Sequence, residues 1–190
     1  MNKIAVFASG TGSNYDAIMK AIQQGKLKAD VRLLVCDQPD AAVIQKAKNY
    51  GTSVFIVDRK EYASKVAFEQ DIVNALEKHQ IDWVILAGYM RLIGETLLQP
   101  YQGRIVNIHP SLLPSFPGLD AIGQAHQAGV KITGVTIHYV DEGMDTGTII
   151  AQEAVKLEEN MSLEELQKAI QKLEHQLYPA TIQQLIQKGE

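Results

Sequence analysis

Apolar and polar positions follow two rhythms along this chain. Short runs rich in β-branched residues read as strands buried on both faces: KIAVFAS (Lys3–Ser9), VRLLVCD (Val31–Asp37), SVFIVD (Ser53–Asp58), WVILAG (Trp83–Gly88) and RIVNIH (Arg104–His109). Between them lie segments of helical composition: Ser13–Gln24, an Ala-rich stretch Ala41–Tyr50 that Gly51 stops, and a short piece near Glu95–Tyr101. A longer helix is predicted from about Glu61 to His79, with Tyr62, Val66, Val73 and Leu76 on one face. Strands alternating with helices predict βαβ units and a mostly parallel sheet.

After His109 the rhythm changes. A short helix near Asp120–Ala128 ends at Gly129, and two strands, Ile132–Val140 and Thr148–Val155, follow across the turn-rich DEGMDTG. Strands that close in sequence predict an antiparallel addition to the sheet. Ser162-Leu-Glu-Glu165 is a capping box that opens a last helix, whose Leu163, Leu166, Ile170, Leu173 and Leu177 form an apolar stripe read as core. The expected fold is α/β: one domain over 1–190, with a mostly parallel twisted sheet of about seven strands, helices on both faces, and antiparallel C-terminal strands.

Composition narrows the function classes. With 46% hydrophobic and 21% charged residues the chain is an ordinary globular one, and no apolar run approaches the ~18 residues of a bilayer span. The N-terminus lacks the length and cleavage pattern of a signal peptide. A single cysteine, Cys36, rules out an internal disulfide and fits a reducing compartment, so the cytoplasm is expected. A net charge of −4 without a basic cluster gives no support to nucleic-acid binding. An anionic ligand would have to be held by local devices such as helix N-termini.

Three stretches carry candidate chemistry. Gly10, Thr11, Gly12, Ser13 and Asn14 lie between the first strand and first helix, where small residues let backbone N–H groups turn toward a phosphate. No Gly-Lys-Ser/Thr follows, and Tyr15 occupies the third glycine position of a dinucleotide fingerprint, although Asp37 stands where a ribose-binding acid would lie. A tight turn capped by Ser13 or Asn14 explains the same residues. The second stretch, NIHPSLLPSFPG, sets Asn107 and His109 two apart at a strand end, ahead of Pro110, Pro114 and Pro117. Each proline fixes its own φ and restricts its predecessor, so the loop is stiff. An amide N–H and an imidazole together can stabilise an oxyanion and move a proton. The third, Asp141 to Gly147, is acidic and glycine-rich; solvated-turn chemistry explains it, but Asp145 is a candidate partner for His109. His79, His126 and His175 read as surface residues, and no His/Cys/Asp cluster has metal-ligand spacing, so no metal is expected.

SGTGSN, LAGYMRLI, NIHPSLLPSFPG and GVTIHYVDEGMDTG, in this order, resemble the folate-dependent formyltransferases, and among them those that act on phosphoribosylglycinamide (GAR). The resemblance runs from Lys3 to the terminal helix and implies a Rossmann-like sheet, with a phosphate-binding half to about residue 100 and a folate-binding, catalytic part beyond. It implies that Asn107, His109 and Asp145 are catalytic, and that 10-formyltetrahydrofolate is the formyl donor. Gly10, Thr11, Gly12, Ser13 and Asn14 would hold the GAR phosphate, Glu174 its ribose, and Lys65, where relatives carry Arg, the phosphate or the donor. Met90, Arg91, Leu92, Ile93, Val140, Asp141, Glu142 and Asp145 would form the folate pocket. A cis bond at Leu113–Pro114 is also implied, while Thr148 in place of Pro and Asp120 in place of His depart from the pattern. A homodimer stays open. The Asn-x-His-Pro…Asp trio is shared with formyltetrahydrofolate deformylases and sugar-amine formyltransferases, which remain alternatives, as does a non-enzymatic nucleotide-binding module. An additional N-terminal regulatory domain is expected of a deformylase and a basic C-terminal domain of a methionyl-tRNA formyltransferase; neither is read in this sequence.

Overall fold

Along β1 (Asn2–Phe7) alternate side chains enter opposite cores: Ile4 and Val6 one, Ala5 and Phe7 the other, all fully buried. That two-sided burial is why the strand reads as an unbroken apolar run, each large side chain contributing ~1.5–3 kcal/mol. The computed structural model describes residues 1–188. Its parallel strands are β1, β2 (Ala29–Cys36), β3 (Ser53–Ile56), β4 (Trp83–Leu86) and β5 (Ile105–His109). β6 (Ile132–Tyr139) and β7 (Ile149–Lys156) complete one seven-stranded sheet in the order β3-β2-β1-β4-β5-β6-β7, with the β5–β6 and β6–β7 pairings antiparallel. The strand order reverses at β1, between β2 and β4, and in open α/β sheets ligands bind outside the carboxyl ends of the strands at that point.

One face packs on α1 (Ser13–Gln23), α2 (Ala42–Asn49) and α6 (Leu163–Lys188); the other on α3 (Lys65–Lys78) and α4 (Glu95–Leu98). The short α5 (Ala121–Gln127) lies against α6. The capping box at α6 forms as expected: Glu165 N–H donates to Ser162 Oγ at 3.2 Å, and Ser162 N–H to Glu165 Oε2 at 2.8 Å. Further along, the buried Tyr178 hydroxyl hydrogen-bonds the carbonyls of Leu86 and Val106, at 2.7 and 3.1 Å. This fastens α6 across β4 and β5 and brings Glu174, one turn earlier, to the carboxyl end of the sheet.

The segment expected as one helix from Glu61 is broken. A 3₁₀ turn spans Arg59–Glu61, and α3 begins only after Ser64, whose hydroxyl caps the Ala67 N–H at 3.0 Å. The buried face is therefore Phe68, Ile72, Val73 and Leu76, and Val66 is 62% exposed. In α6 the expected stripe is buried at Leu166 and Ile170, whereas Leu163 is exposed.

Candidate active site

At the carboxyl end of β5 the alternation of the strand turns Asn107 and His109 to the same side, and the register with β6 sets Asn107 opposite His138. The Leu113–Pro114 bond is cis, as the resemblance implied. The proline loop that follows is tied down from within. Thr136 Oγ1 donates to Ser111 O at 2.7 Å and accepts from Leu113 N–H at 3.0 Å, and Ser111 Oγ donates to Ser115 O at 2.5 Å. This fixed loop presents Phe116 O to His109 Nε2 at 2.8 Å.

The other ring nitrogen, Nδ1, stands 3.4 Å from Asp145 Oδ2. The Nδ1···Oδ2 separation exceeds the ~2.7–2.9 Å of a closed charge-assisted bond, so the contact between ring and carboxylate is loose. Asp145 is held in turn by Gly118 N–H, which donates to its Oδ2 at 2.8 Å. It sits at φ 57°, in the left-handed region. The loop closes on Gly147, where a Cβ would lie 1.7 Å from Tyr139 O, so no other residue fits. The carboxylate of Asp141 is used inside the loop, accepting from Gly143 N–H at 3.0 Å and Thr146 Oγ1 at 2.7 Å.

His138 joins this group, and the sequence reading did not single it out. Its Nδ1–H donates to Tyr139 O at 2.8 Å, leaving Nε2 to accept from Asn107 Nδ2 at 3.2 Å; Asp145 Oδ1 lies 3.7 Å from the same nitrogen. Burial pushes the His138 pKa down, against the opposing pull of the Tyr139 carbonyl and of Asp145. The neutral ring thereby orients the Asn107 amide and leaves its second N–H as the free donor. Strand alternation from Thr136 would have placed His138 on a candidate face, but only the register shows that it meets Asn107.

The loop after β1 behaves differently from a capped turn. Gly12, at φ 71°, occupies the N-cap of α1 with no side-chain cap, and neither Ser13 nor Asn14 fills that role. The first N–H groups of α1 are left without side-chain acceptors, as an anion site requires. A Cβ on Gly12 would meet Val43 Cγ2 of α2 at 2.4 Å, whereas one on Gly10 would meet nothing within 4 Å. Asn14 is buried instead, donating from Nδ2 to Glu174 Oε2 at 3.3 Å, while its Oδ1 has no partner. Burial pushes the Glu174 pKa up to about 7, opposed only by the Asn14 amide. A buried amide oxygen without a donor, next to a carboxylate with a single one, beside the uncapped helix N-terminus suits a ligand that brings hydroxyl groups.

Lys65 stands at the start of α3, with Nζ 3.7 Å from the buried Glu69, whose Oε1 accepts from Gly94 N–H at 2.6 Å. It therefore faces the loop after β4. A lysine that does reach the loop after β1 is Lys46, 3.5 Å from Gly12 O. In that β4 loop Met90 and Leu92 are exposed, Ile93 is buried, and Arg91 donates to Asp37 Oδ2 at 2.7 Å. A cavity of about 310 Å³ adjoins the 140–143 segment, lined by Leu98, Gln102, Val140 and Glu142 among others. The larger cavity, about 490 Å³, runs from Ser13 along α1 and α6 and passes His175. His175 is half-buried there, with burial lowering its pKa, and His126 donates to Met161 O at 2.9 Å; neither is a plain surface residue. Asp120, the departure at the start of α5, is a helix cap accepting from Gly123 N–H at 3.2 Å. Among the described residues no group of His, Cys, Asp and Glu could hold a metal.

A mostly parallel sheet with an uncapped helix N-terminus after β1 and an Asn–His–Asp cluster at the end of β5 has the layout of an α/β enzyme with its site at the carboxyl ends of the strands. Residues 2–182 match the formyl transferase family, and the chain belongs to it. It is 54% identical over 186 residues to phosphoribosylglycinamide formyltransferase of Bacillus subtilis, covering 98% of this chain and 95% of that protein. Among solved structures, phosphoribosylglycinamide formyltransferase from Bacillus halodurans superposes with a TM-score of 0.96 at 57% identity, covering 100% of this chain and 97% of the other. Glycinamide ribonucleotide transformylase 1 from Geobacillus kaustophilus gives 0.95 at 56% identity, covering 97% and 98%.

Proposed function

We propose that this protein transfers the formyl group of 10-formyltetrahydrofolate to the amine of GAR, a step of purine biosynthesis, in the cytoplasm. The observation that carries the reading is the meeting of Asn107, His109 and Asp145 at the carboxyl end of β5, in a sheet whose first helix begins uncapped next to the Asn14–Glu174 pair. In this reading the N–H groups at Gly12–Asn14 take the GAR phosphate and Glu174 accepts from its ribose hydroxyls. Backbone groups of residues 90–93 and 140–142 hold the folate, and Lys65 faces the donor's side of the site.

The amine nitrogen attacks the formyl carbon, and the carbonyl π pair moves to oxygen, giving a tetrahedral carbon with O⁻ and a cationic nitrogen. The free N–H of Asn107 and the imidazole of His109 stabilise that oxygen. Asp145 holds the imidazole in place and, through a water at its carboxylate, passes the surplus amine proton toward N10 of the folate. The carbon–N10 bond then breaks, releasing formyl-GAR and tetrahydrofolate. An assay of formyl transfer from 10-formyltetrahydrofolate to GAR tests the reading. Formate released at the same rate with and without GAR would instead identify a hydrolase.

A further inference from the structure

The loops after β1 and β4 share a buried carboxylate that no step above uses. Asp37, at the end of β2, is 3% exposed. Its Oδ1 accepts from Ser9 Oγ at 2.5 Å and its Oδ2 from Arg91 Nε at 2.7 Å, with Gln38 Nε2 further off at 3.4 Å. Ser9 is bonded to the second loop as well: its Oγ accepts from Met90 N–H at 3.0 Å, and its N–H donates to Gly88 O at 3.0 Å. The Arg91 guanidinium, set by Asp37, lies 5.7 Å from the centroid of the Phe68 ring. The backbone runs directly from Ser9 into residues 10–14, and Met90 and Arg91 open residues 90–93. A carboxylate this deep is costly unless both oxygens are paired, and here each oxygen is paired to a different loop.

We propose that Asp37 is a positioning residue that couples the acceptor and donor sites, by fixing Ser9 of one loop and Arg91 of the other with its two oxygens. A ligand that orders one loop then orders part of the other, and the second ligand binds with less left to immobilise. The identity of the two ligands rests on the function proposed above; the mechanical link between the loops does not.

Asp37→Asn tests this. The amide oxygen can still accept from Ser9, but its NH₂ cannot accept from Arg91. GAR affinity is measured by calorimetry with and without saturating tetrahydrofolate, and amide hydrogen exchange is followed in the free protein. In the native protein GAR is expected to bind roughly tenfold more tightly with tetrahydrofolate present, within the usual range of site-to-site coupling. In Asp37→Asn that ratio should fall to within about twofold of unity, and exchange should rise together in residues 9–14 and 88–94. A purely structural carboxylate would lower the melting temperature and leave the ratio intact. A retained ratio, no coupling in the native protein, or faster exchange in one loop only overturns the proposal. If the native protein binds no GAR, the functional reading falls, and the exchange measurement alone decides on the coupling.

Discussion

Replacing Glu174 by Gln removes a buried charge that the fold holds at a cost. Burial raises the carboxyl from 4.5 to about 7. Integrated over that interval, the ionised group opposes folding by up to about 3 kcal/mol. The sign follows from the direction of the rise. The native state binds the proton more tightly than the unfolded chain, so the stability due to this group is complete below about pH 4.5 and is lost as pH rises through about 7. Glutamine does not titrate. Near pH 5 the two proteins should melt within a few degrees of each other, whatever the amide itself adds at the Asn14 oxygen. Near pH 8.5 the variant should lead by roughly 6–12 °C more, at ~2–4 °C per kcal/mol for a chain of this size. GAR should bind the variant about tenfold more weakly or worse, because a hydrogen bond to a charged acceptor is worth ~1.5–3 kcal/mol. Melting curves at both pH values and the GAR KM on the same preparations check this. A melting-temperature difference independent of pH, or one that shrinks at high pH, refutes the buried ionised acceptor.

Asn107→Ala should lower kcat by ~10²–10³-fold with small changes in either KM, as loss of one oxyanion donor does, and steady-state kinetics read it directly. His138→Phe frees the Asn107 amide while keeping a ring in place; about a tenfold loss in kcat is expected, the equivalent of one hydrogen bond, with the native melting temperature largely kept. Gly12→Val should lose at least ~1–3 kcal/mol of stability, because φ 71° disfavours a branched residue and its Cβ would meet Val43 at 2.4 Å. That variant therefore cannot separate phosphate binding from folding. Gly10→Ala can: its Cβ meets nothing within 4 Å, so melting should hold within a degree or two while the GAR KM rises and the donor KM does not.

The apolar runs determined the strands, although β3, expected to be buried on both faces, lies at the sheet edge with Ile56 exposed, and their spacing determined a mostly parallel sheet with an antiparallel end; these are local periodicities that tertiary structure only had to accept. The stiffness of the proline loop and the shared face of Asn107 and His109 are equally local, set by proline φ and strand alternation. The break before α3 was missed because Ser64 competes for the helix start through a cap that periodicity does not register. Cross-strand register brought His138 to Asn107, and loop closure brought Asp145 to His109. Asp37 reaches Ser9 and Arg91 because β1, β2 and β4 lie side by side, though far apart in sequence. Glu174 meets Asn14 because Tyr178 fastens α6 over the sheet, a contact that no local pattern in the sequence specifies. A sequence carries the period of each element, whereas the meeting of side chains from separate elements is set by packing and register, and so only the folded chain decides it.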